Sequence, residues 1–223
     1  MGKKHIILGG LIAVLGLFPQ AGGAIPITGD GALGYFSGNL TYSFTSSTTA
    51  SLVVTLTNTS LVANGGYLTA FVFNNPGNVI TGLTLSSTNA NFSLSGGTSF
   101  TNSINLSPFG HFDIGASTGR GGNPTRGIAV SNTEVFTFLA TGTRLGTLNE
   151  LSFLSALSSN PGGGGAQFFV ARFRGFDDGG SDKTPAGALV PESNTLLLFG
   201  SGLAGLAGLR LLGRRLRRGR NDH

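Results

Sequence analysis

The sequence predicts a mainly β protein: an antiparallel β-sandwich or jelly-roll body with one short helix, followed by a C-terminal transmembrane helix. Three observations predict this class. Short runs of alternating apolar and polar residues, separated by polar turns, recur roughly every ten residues between Leu33 and Ala140. One later segment has helical spacing. A long apolar stretch lies near the C-terminus, just before a cluster of arginines.

The N-terminus has the pattern of a secretory signal that is cleaved. Lys3 and Lys4 give a positive start, and the apolar run Ile6–Phe18 follows. This run of about thirteen residues is shorter than the roughly 20 that a membrane span needs, which favours a cleaved signal over an uncleaved anchor. Small residues place the cleavage after Ala24, so we predict a signal peptide over residues 1–24.

The body is expected over residues 25–177, with strands wherever alternation is clear. The predicted strands are Asn39–Phe44, Ser51–Thr57, Tyr67–Phe73, Val79–Leu85, Asn91–Leu94, Phe109–Ile114, Gly127–Val130, Glu134–Ala140 and Gln167–Phe173. The segment Asn74–Asn78 predicts a turn. The chain has 17 Phe and no Trp. We therefore expect Phe to fill the core, and an exposed carbohydrate-stacking row of rings is the alternative.

One helix is predicted near Glu150. Thr147 and Glu150 have the spacing of a capping box, and leucines follow at near-helical intervals. These leucines are Leu148, Leu151, Leu154 and Leu157. The helix is expected to end at Asn160-Pro161, before a run of glycines. Residues 178–189 are rich in Gly, Ser, Asp, Thr and Ala, and we predict that they form a flexible linker.

Charge and composition exclude several functions. The net charge is +5, but the basic excess lies in the two terminal segments. Between Ile25 and Val190 there are six basic and seven acidic residues, so the body carries a net charge of −1 and no stripe for phosphate binding is expected. We predict no nucleic-acid partner. The absence of Cys excludes thiol catalysis, cysteine zinc sites and iron–sulfur clusters.

The C-terminal tail, residues 190–223, has three parts in order. Val190, Pro191 and Glu192 come first, and an apolar stretch over residues 195–212 follows. As a helix it would be about 27 Å long, close to the roughly 30 Å of a hydrocarbon core. The last part is an arginine cluster, which should remain on the cytoplasmic side of the inner membrane. Its members are Arg214, Arg215, Arg217 and Arg218.

This three-part order resembles the PEP-CTERM sorting tail of Gram-negative bacteria. The resemblance covers about thirty residues and includes Val190-Pro191-Glu192, the Gly-rich apolar helix and the arginine cluster. It implies processing by an exosortase-like enzyme that reads the Pro-Glu region. It also implies a link to exopolysaccharide and to the cell surface or biofilm matrix. The family's usual second proline is Ser193 here, which leaves the segment more flexible than proline would.

Candidates for catalysis are few. His111 and Asp113 are two residues apart, so they would share one face of a strand, but we find neither a nucleophile elbow nor a metalloprotease motif. Asp113, Glu134 and Glu150 are the carboxylates that a glycan hydrolase could use. We expect hydrogen bonding rather than catalysis from His111 and Asp113, and we predict that the protein is not an enzyme.

Two further patterns indicate modification or binding. Asp177, Asp178 and Asp182 are spaced by glycines and are the one candidate for a calcium site, although like charges in a solvated linker are the commoner case. Acceptor sequons for glycosylation occur at Asn39, Asn58, Asn91 and Asn105. No cofactor is expected.

Together these features predict an exported cell-surface or extracellular-matrix protein that passes through an inner membrane-anchored precursor. Its expected partners are signal peptidase, an exosortase-like processing enzyme, the inner membrane in a transient stage, and exopolysaccharide. The alternatives are a carbohydrate-binding module and, less favoured, a glycan-active enzyme. An exposed aromatic row on one sheet face would distinguish the module, and two carboxylates in one cleft would distinguish the enzyme.

Overall fold

The computed structural model describes residues 23–119 and 123–188. In these ranges the chain is mainly β, with antiparallel sheets and one α-helix, as predicted. The elements are β1 (Ile25–Asp30), β2 (Tyr35–Ser46), β3 (Thr49–Asn58), β4 (Gly65–Phe73), β5 (Ile80–Ser87), β6 (Ser93–Ser95), β7 (Ile104–Asn105), β8 (His111–Phe112), β9 (Ile114–Ser117), β10 (Ile128–Ala129), β11 (Thr133–Gly142), α1 (Glu150–Ser155), β12 (Phe169–Phe176), β13 (Ser181–Pro185) and β14 (Gly187–Ala188).

The strands form two large sheets and one small hairpin. The first sheet has the order β14-β1-β2-β3-β11-β5. The second sheet has the order β13-β12-β4-β9-β6, and β10 also pairs with β4. The third is the pair β7-β8. Short 3-10 helices connect several strands, at Val62–Asn64, Pro76–Asn78, Pro124–Arg126 and Leu145–Thr147.

A cluster of phenylalanine rings joins the two large sheets. Phe71 on β4 contacts Phe136 on β11 edge to face, with ring centroids 4.7 Å apart. It also stacks on Phe169 of its own sheet, at 5.5 Å. Phe73 reaches Phe138 of the first sheet at 5.2 Å. Aromatic pairs add roughly 0.5–1.5 kcal/mol beyond the burial of their area, so this cluster holds the inner faces of the sheets together.

A second, smaller core lies on the outer face of the second sheet. Val72 and Val170 point away from the main core and are covered by Phe109 and Phe112 from the β7-β8 hairpin. The outward-facing residues of the second sheet that this hairpin does not cover are partly exposed. The arrangement explains why β4 carries apolar residues at both parities, since one parity faces the main core and the other faces the hairpin.

The segment predicted as a flexible linker is part of the body as far as Ala188. Its residues form β13, which pairs with β12, and β14, which pairs with β1. Thr184 on β13 is fully buried, and its hydroxyl donates to the carbonyl oxygen of Gly34 at 2.8 Å. Composition was a poor guide here because strand pairing uses backbone groups, which Gly-rich and Ser-rich segments also possess.

The helix is shorter than predicted, and another residue caps it. It begins at Glu150 and ends at Ser155, and its N-cap is Asn149 rather than Thr147. The Asn149 side chain accepts from the Ser152 amide at 3.0 Å, and the Ser152 hydroxyl accepts from the Asn149 amide at 3.1 Å. Thr147 instead ends a 3-10 turn. A serine at the third helical position can complete a capping box as Glu does, whereas the sequence prediction considered only the Thr and Glu spacing.

In the described ranges, no helix is long and apolar enough to cross a membrane. The predicted span over residues 195–212 lies outside those ranges, as does almost all of the predicted signal peptide.

The phenylalanine cluster predicts a large cost for one truncation. Phe71→Ala should lower the free energy of unfolding by about 3–5 kcal/mol, because it leaves a cavity among rings of both sheets. Phe44 is the matched control: it is 53% exposed, and Phe44→Ala should change stability by only about 0.5 kcal/mol. Urea denaturation of the full chain measures both values, and equal losses would contradict a core centred on Phe71.

Candidate functional site

The predicted sorting residues lie outside the described ranges. They are Val190, Pro191, Glu192, Arg214, Arg215, Arg217 and Arg218. The described chain ends at Ala188, which is paired with Ile27 on β1. The start and the end of the body therefore meet at the same edge of the first sheet.

His111 and Asp113 do not form a catalytic pair. The backbone of His111 exchanges two hydrogen bonds with Ser159, at 2.8 and 3.0 Å. The carboxylate of Asp113 is buried and accepts from the backbone amides of Asn75, at 2.8 Å, and Asn102. Both carboxylate oxygens therefore serve to hold two loops, and the His111 side chain makes no hydrogen bond within the described ranges. Asp113 is a structural anchor, in line with the expected hydrogen-bonding role.

Glu134 and Glu150 are also held by separate partners. Glu150 is buried, and its Oε1 atom accepts from the amide of Tyr42 at 3.0 Å. Glu134 accepts a hydrogen bond from the hydroxyl of Thr88 at the surface. Neither shares a hydrogen-bond partner with Asp113. These three carboxylates are thus each held by separate partners in the fold.

The three aspartates of the calcium candidate point to different places. Asp182 accepts from the amides of Leu33 and Gly34, at 2.8 and 2.9 Å. Asp178 accepts from the amide of Gly180 in its own turn, at 2.7 Å. Asp177 and Asp178 line a cavity of about 170 Å³. Over residues 23–119 and 123–188, no three His, Asp or Glu side chains are grouped so that they could hold a metal ion.

The sequons differ in accessibility. Asn58 is fully buried, and its side-chain amide donates to the carbonyl oxygens of Gly66 and Ile128 at 3.2 and 2.9 Å. A glycan cannot be attached there without unfolding this region. The side chains of Asn39, Asn91 and Asn105 are exposed.

Most of the described phenylalanines form core, as expected. They are buried at positions 36, 71, 73, 92, 100, 109, 112, 136, 138, 153, 169, 173 and 176. Phe44 is exposed and Phe168 is half-buried. The ring positions therefore do not form the exposed row that would distinguish a stacking carbohydrate-binding module.

The arrangement that sequence reasoning missed is a basic face, formed by residues of β12 and β13 on the outer side of the second sheet. On β12, Val170, Arg172 and Arg174 point outward, while Phe169 and Phe173 point into the main core. On β13, Lys183 lies directly opposite Arg172, and Ser181 lies opposite Arg174. The next strand places Tyr67 beside Arg174 and Ala70 beside Arg172.

Two segments border this basic face. On one side the β7-β8 hairpin covers the row of Val72 and Val170, and the Lys183 ammonium donates to the carbonyl oxygen of Ser107 in that hairpin. On the other side the 3-10 helix Pro124–Arg126 packs against β4 and β12, and Arg126 is exposed.

The alternation of β12 contained a signal for this basic face. The segment from Phe169 to Arg174 places its two arginines at the parity opposite to the phenylalanines, which predicts a basic outer row for a strand with a buried inner face. The contribution of Lys183 could not be predicted, because β13 was interpreted as linker. With this geometry defined, the chain matches no model of a known protein family and no curated protein.

The position of Asp182 predicts a structural role that does not depend on calcium. Asp182→Ala leaves the amides of Leu33 and Gly34 without their acceptor and should cost about 2 kcal/mol of stability. Asp178→Ala is the matched control and should cost about 0.5 kcal/mol, because Asp178 bonds one amide in an exposed turn. Thermal unfolding of the full chain, with and without millimolar Ca²⁺, measures both. A calcium-dependent rise in Tm that Asp182→Ala abolishes would establish a metal site instead.

The environment of Tyr42 predicts a loss of stability at alkaline pH. Burial raises the pKa of the Tyr42 phenol above its usual value. An unfolded tyrosine loses its proton near pH 10, while the folded one retains it, so stability should fall as the pH rises above about 10.

Tyr42→Phe tests this effect. The variant loses the hydrogen bond from the phenol to the carbonyl oxygen of Leu145, which should cost about 1 kcal/mol at neutral pH. It should nevertheless decline less than the wild type above about pH 10, because it has no proton to lose at this position. Tm values recorded between about pH 7 and about pH 11 provide the comparison, and parallel declines would show that Tyr42 does not contribute.

Proposed function

We propose that this chain is an exported cell-surface or extracellular-matrix protein with a β-sandwich body, delivered by its C-terminal sorting tail. The observation that carries the proposal is the order of Pro191-Glu192, the apolar stretch 195–212 and the arginine cluster, placed directly after a folded body. In this scheme signal peptidase removes residues 1–24. An exosortase-like enzyme then processes the membrane-held precursor, and the released body associates with exopolysaccharide.

The geometry of the body bears on how such processing would work. The last paired residue, Ala188, precedes Pro191 by three positions. A membrane-embedded enzyme that reads Pro191-Glu192 would therefore work beside the folded edge formed by β1 and β14, without a long linker between them. Recognition would have to be compatible with a bulky folded domain at a distance of about 11 Å.

The described body supports a binding or structural role more than catalysis. Its buried carboxylates, on Asp113 and Glu150, accept hydrogen bonds from backbone amides, and the partly buried Asp182 does the same. A carbohydrate-binding module is the second candidate function. The observation that favours it is the outer face of the second sheet, where cations on β12 and β13 are in register with serine hydroxyls on β9 and β6 rather than with a row of rings.

Mass spectrometry of the mature protein from its native host tests the sorting proposal. We expect a main species that begins at Ile25 and ends near Val190 or Pro191, without the arginine cluster. Replacement of Pro191 and Glu192 together by Ala should leave the tail in place and raise the mass accordingly. Asn194→Gln, just outside the motif, is the matched control and should be processed normally. A wild-type species that retains its arginines would show a plain membrane anchor.

A further inference from the structure

The outer edges of the two large sheets are unequally protected against other chains. The first sheet ends at β14 and β5, and the second ends at β13 and β6. Proteins protect exposed sheet edges by keeping the edge strand short or by placing charge or proline on it. β14 has two residues, β6 has three, and β13 carries Asp182 and Lys183 and ends at Pro185. β5 is the exception, because it has eight residues with neither charge nor proline.

The parity of β5 identifies the backbone groups that face the open side. In an antiparallel pair, alternate residues exchange hydrogen bonds with the neighbouring strand. The amide of Thr88 donates to the carbonyl oxygen of Val135 at 3.1 Å, and Thr84 and Ser86 share this parity opposite β11. The residues of the other parity, whose backbone groups point away from β11, are Leu83, Leu85 and Ser87. Across the described ranges β5 pairs with β11 alone, so the amides and carbonyls of these three residues have no strand partner there.

The same edge leaves apolar side chains partly uncovered. Leu83 and Leu85 point toward the main core and pack against it, but both are only half-buried. The inward residues of the central strand β3, such as Leu52 and Val54, are buried. A strand added at the edge of β5 would cover the two leucines and pair the free backbone groups at once.

Charged residues of opposite sign flank the two ends of β5. Arg144 is exposed and lies just after the residue that bonds to Val79, at the start of the strand. Glu134 accepts a hydrogen bond from the hydroxyl of Thr88, just after the end of the strand. Arg126 also approaches the turn after β5, but from the second sheet, against which its 3-10 helix packs. Two antiparallel copies of β5 would place the Arg144 end of each beside the Glu134 end of the other, whereas parallel copies would align like charges.

From these observations we propose that β5 of one copy of the chain pairs antiparallel with β5 of a second copy, so that the first sheet continues across a two-fold axis. The register that matches the free backbone groups places Leu85 opposite Leu85 of the second copy, and Leu83 opposite its Ser87. These facing pairs exchange about six backbone hydrogen bonds. The contact uses the same edge on both copies and therefore closes as a dimer. It goes beyond the proposed function, because it concerns the body and does not depend on processing of the tail.

Disulfide cross-linking tests the proposal, since the natural chain has no cysteine. In the proposed register, Thr84 lies opposite Ser86 of the second copy with Cα atoms about 4.5 Å apart, a distance that a disulfide can bridge. Two Thr84 residues are diagonal neighbours about 7–8 Å apart, which is too far. Full-length Thr84→Cys and Ser86→Cys proteins, mixed in a neutral detergent under mild oxidation, should form linked dimers at least about fivefold faster than either variant alone.

A second pair of positions is the matched control for the cross-link. Asn39 and Ser43 are exposed on the same outer face, but they lie on β2, three strands away from the edge. A mixture of Asn39→Cys and Ser43→Cys proteins should form linked dimers no faster than either of these variants alone. The comparison separates pairing at β5 from random collision and from association of the tails.

Added lysines test the strength of the pairing. Thr84→Lys with Ser86→Lys places like charges opposite each other in the dimer and should weaken association by about tenfold or more in sedimentation equilibrium. Asn39→Lys with Ser43→Lys adds the same charge away from the edge and should leave association within about twofold. Unfolding midpoints identify a variant that does not fold, and the single variant Thr84→Lys then replaces the double one.

Four outcomes would overturn the proposal. Equal linking by the β2 mixture would show collision or tail association, and equal linking by Thr84→Cys alone would contradict the antiparallel register. Equal effects of the two lysine pairs would show that β5 is not the contact. Absence of any linked dimer, with edge amides protected from exchange at every protein concentration, would show that another segment of the same chain covers β5. Normal processing of the tail in the host, combined with any of these results, would leave the sorting proposal intact.

Discussion

The contact between Phe71 and the rings of the opposite sheet is the interaction on which the rest of the fold depends. The chain has no cysteine, so no disulfide can join the sheets, and burial between the two inner faces must supply the stability. A core of this kind leaves no room for charge, because an unpaired ion inside it would be very costly. The charged residues of the body are consequently found at loop junctions or on outer faces, and their positions there determine what the protein can bind.

Acidic and basic residues divide these positions between them. Asp113, Glu150 and Asp182 each accept hydrogen bonds from backbone amides that are distant in sequence, so they hold loops to the core. Their carboxylates are therefore occupied by hydrogen bonds within the fold. Arg174 and Lys183, in contrast, are displayed on one outer face together with neighbouring hydroxyls. A body that is nearly neutral by composition therefore displays basic side chains together on the outer face of β12 and β13.

The sequence predicted the class of fold because alternation on strands such as Tyr67–Phe73 directly reflects burial on one face or both. The prediction failed where the structure of a segment depends on the strand it pairs with or the residue that caps it, rather than on its own side-chain types. The strand Ser181–Pro185 has the composition of a linker and is ordered by backbone pairing with β12. Asn149 caps the helix through a serine, which the expected Thr and Glu pattern excluded. The basic face depends on a register that brings Arg172 opposite Lys183, and no local pattern encodes that register.

The central claim is that the segment up to Ala188 is folded onto the body and that the carboxylate of Asp182 has a structural role. Amide hydrogen exchange on the full chain, resolved by residue, tests this claim most directly. The amides of Leu33 and Gly34 lie in a turn, where solvent would normally reach them, and Asp182 is their acceptor. The account predicts that these two amides and those of β13 that pair with β12 exchange much more slowly than an unstructured peptide. Exchange at the unstructured rate across residues 181–188, together with rapid exchange at Leu33 and Gly34, would contradict it.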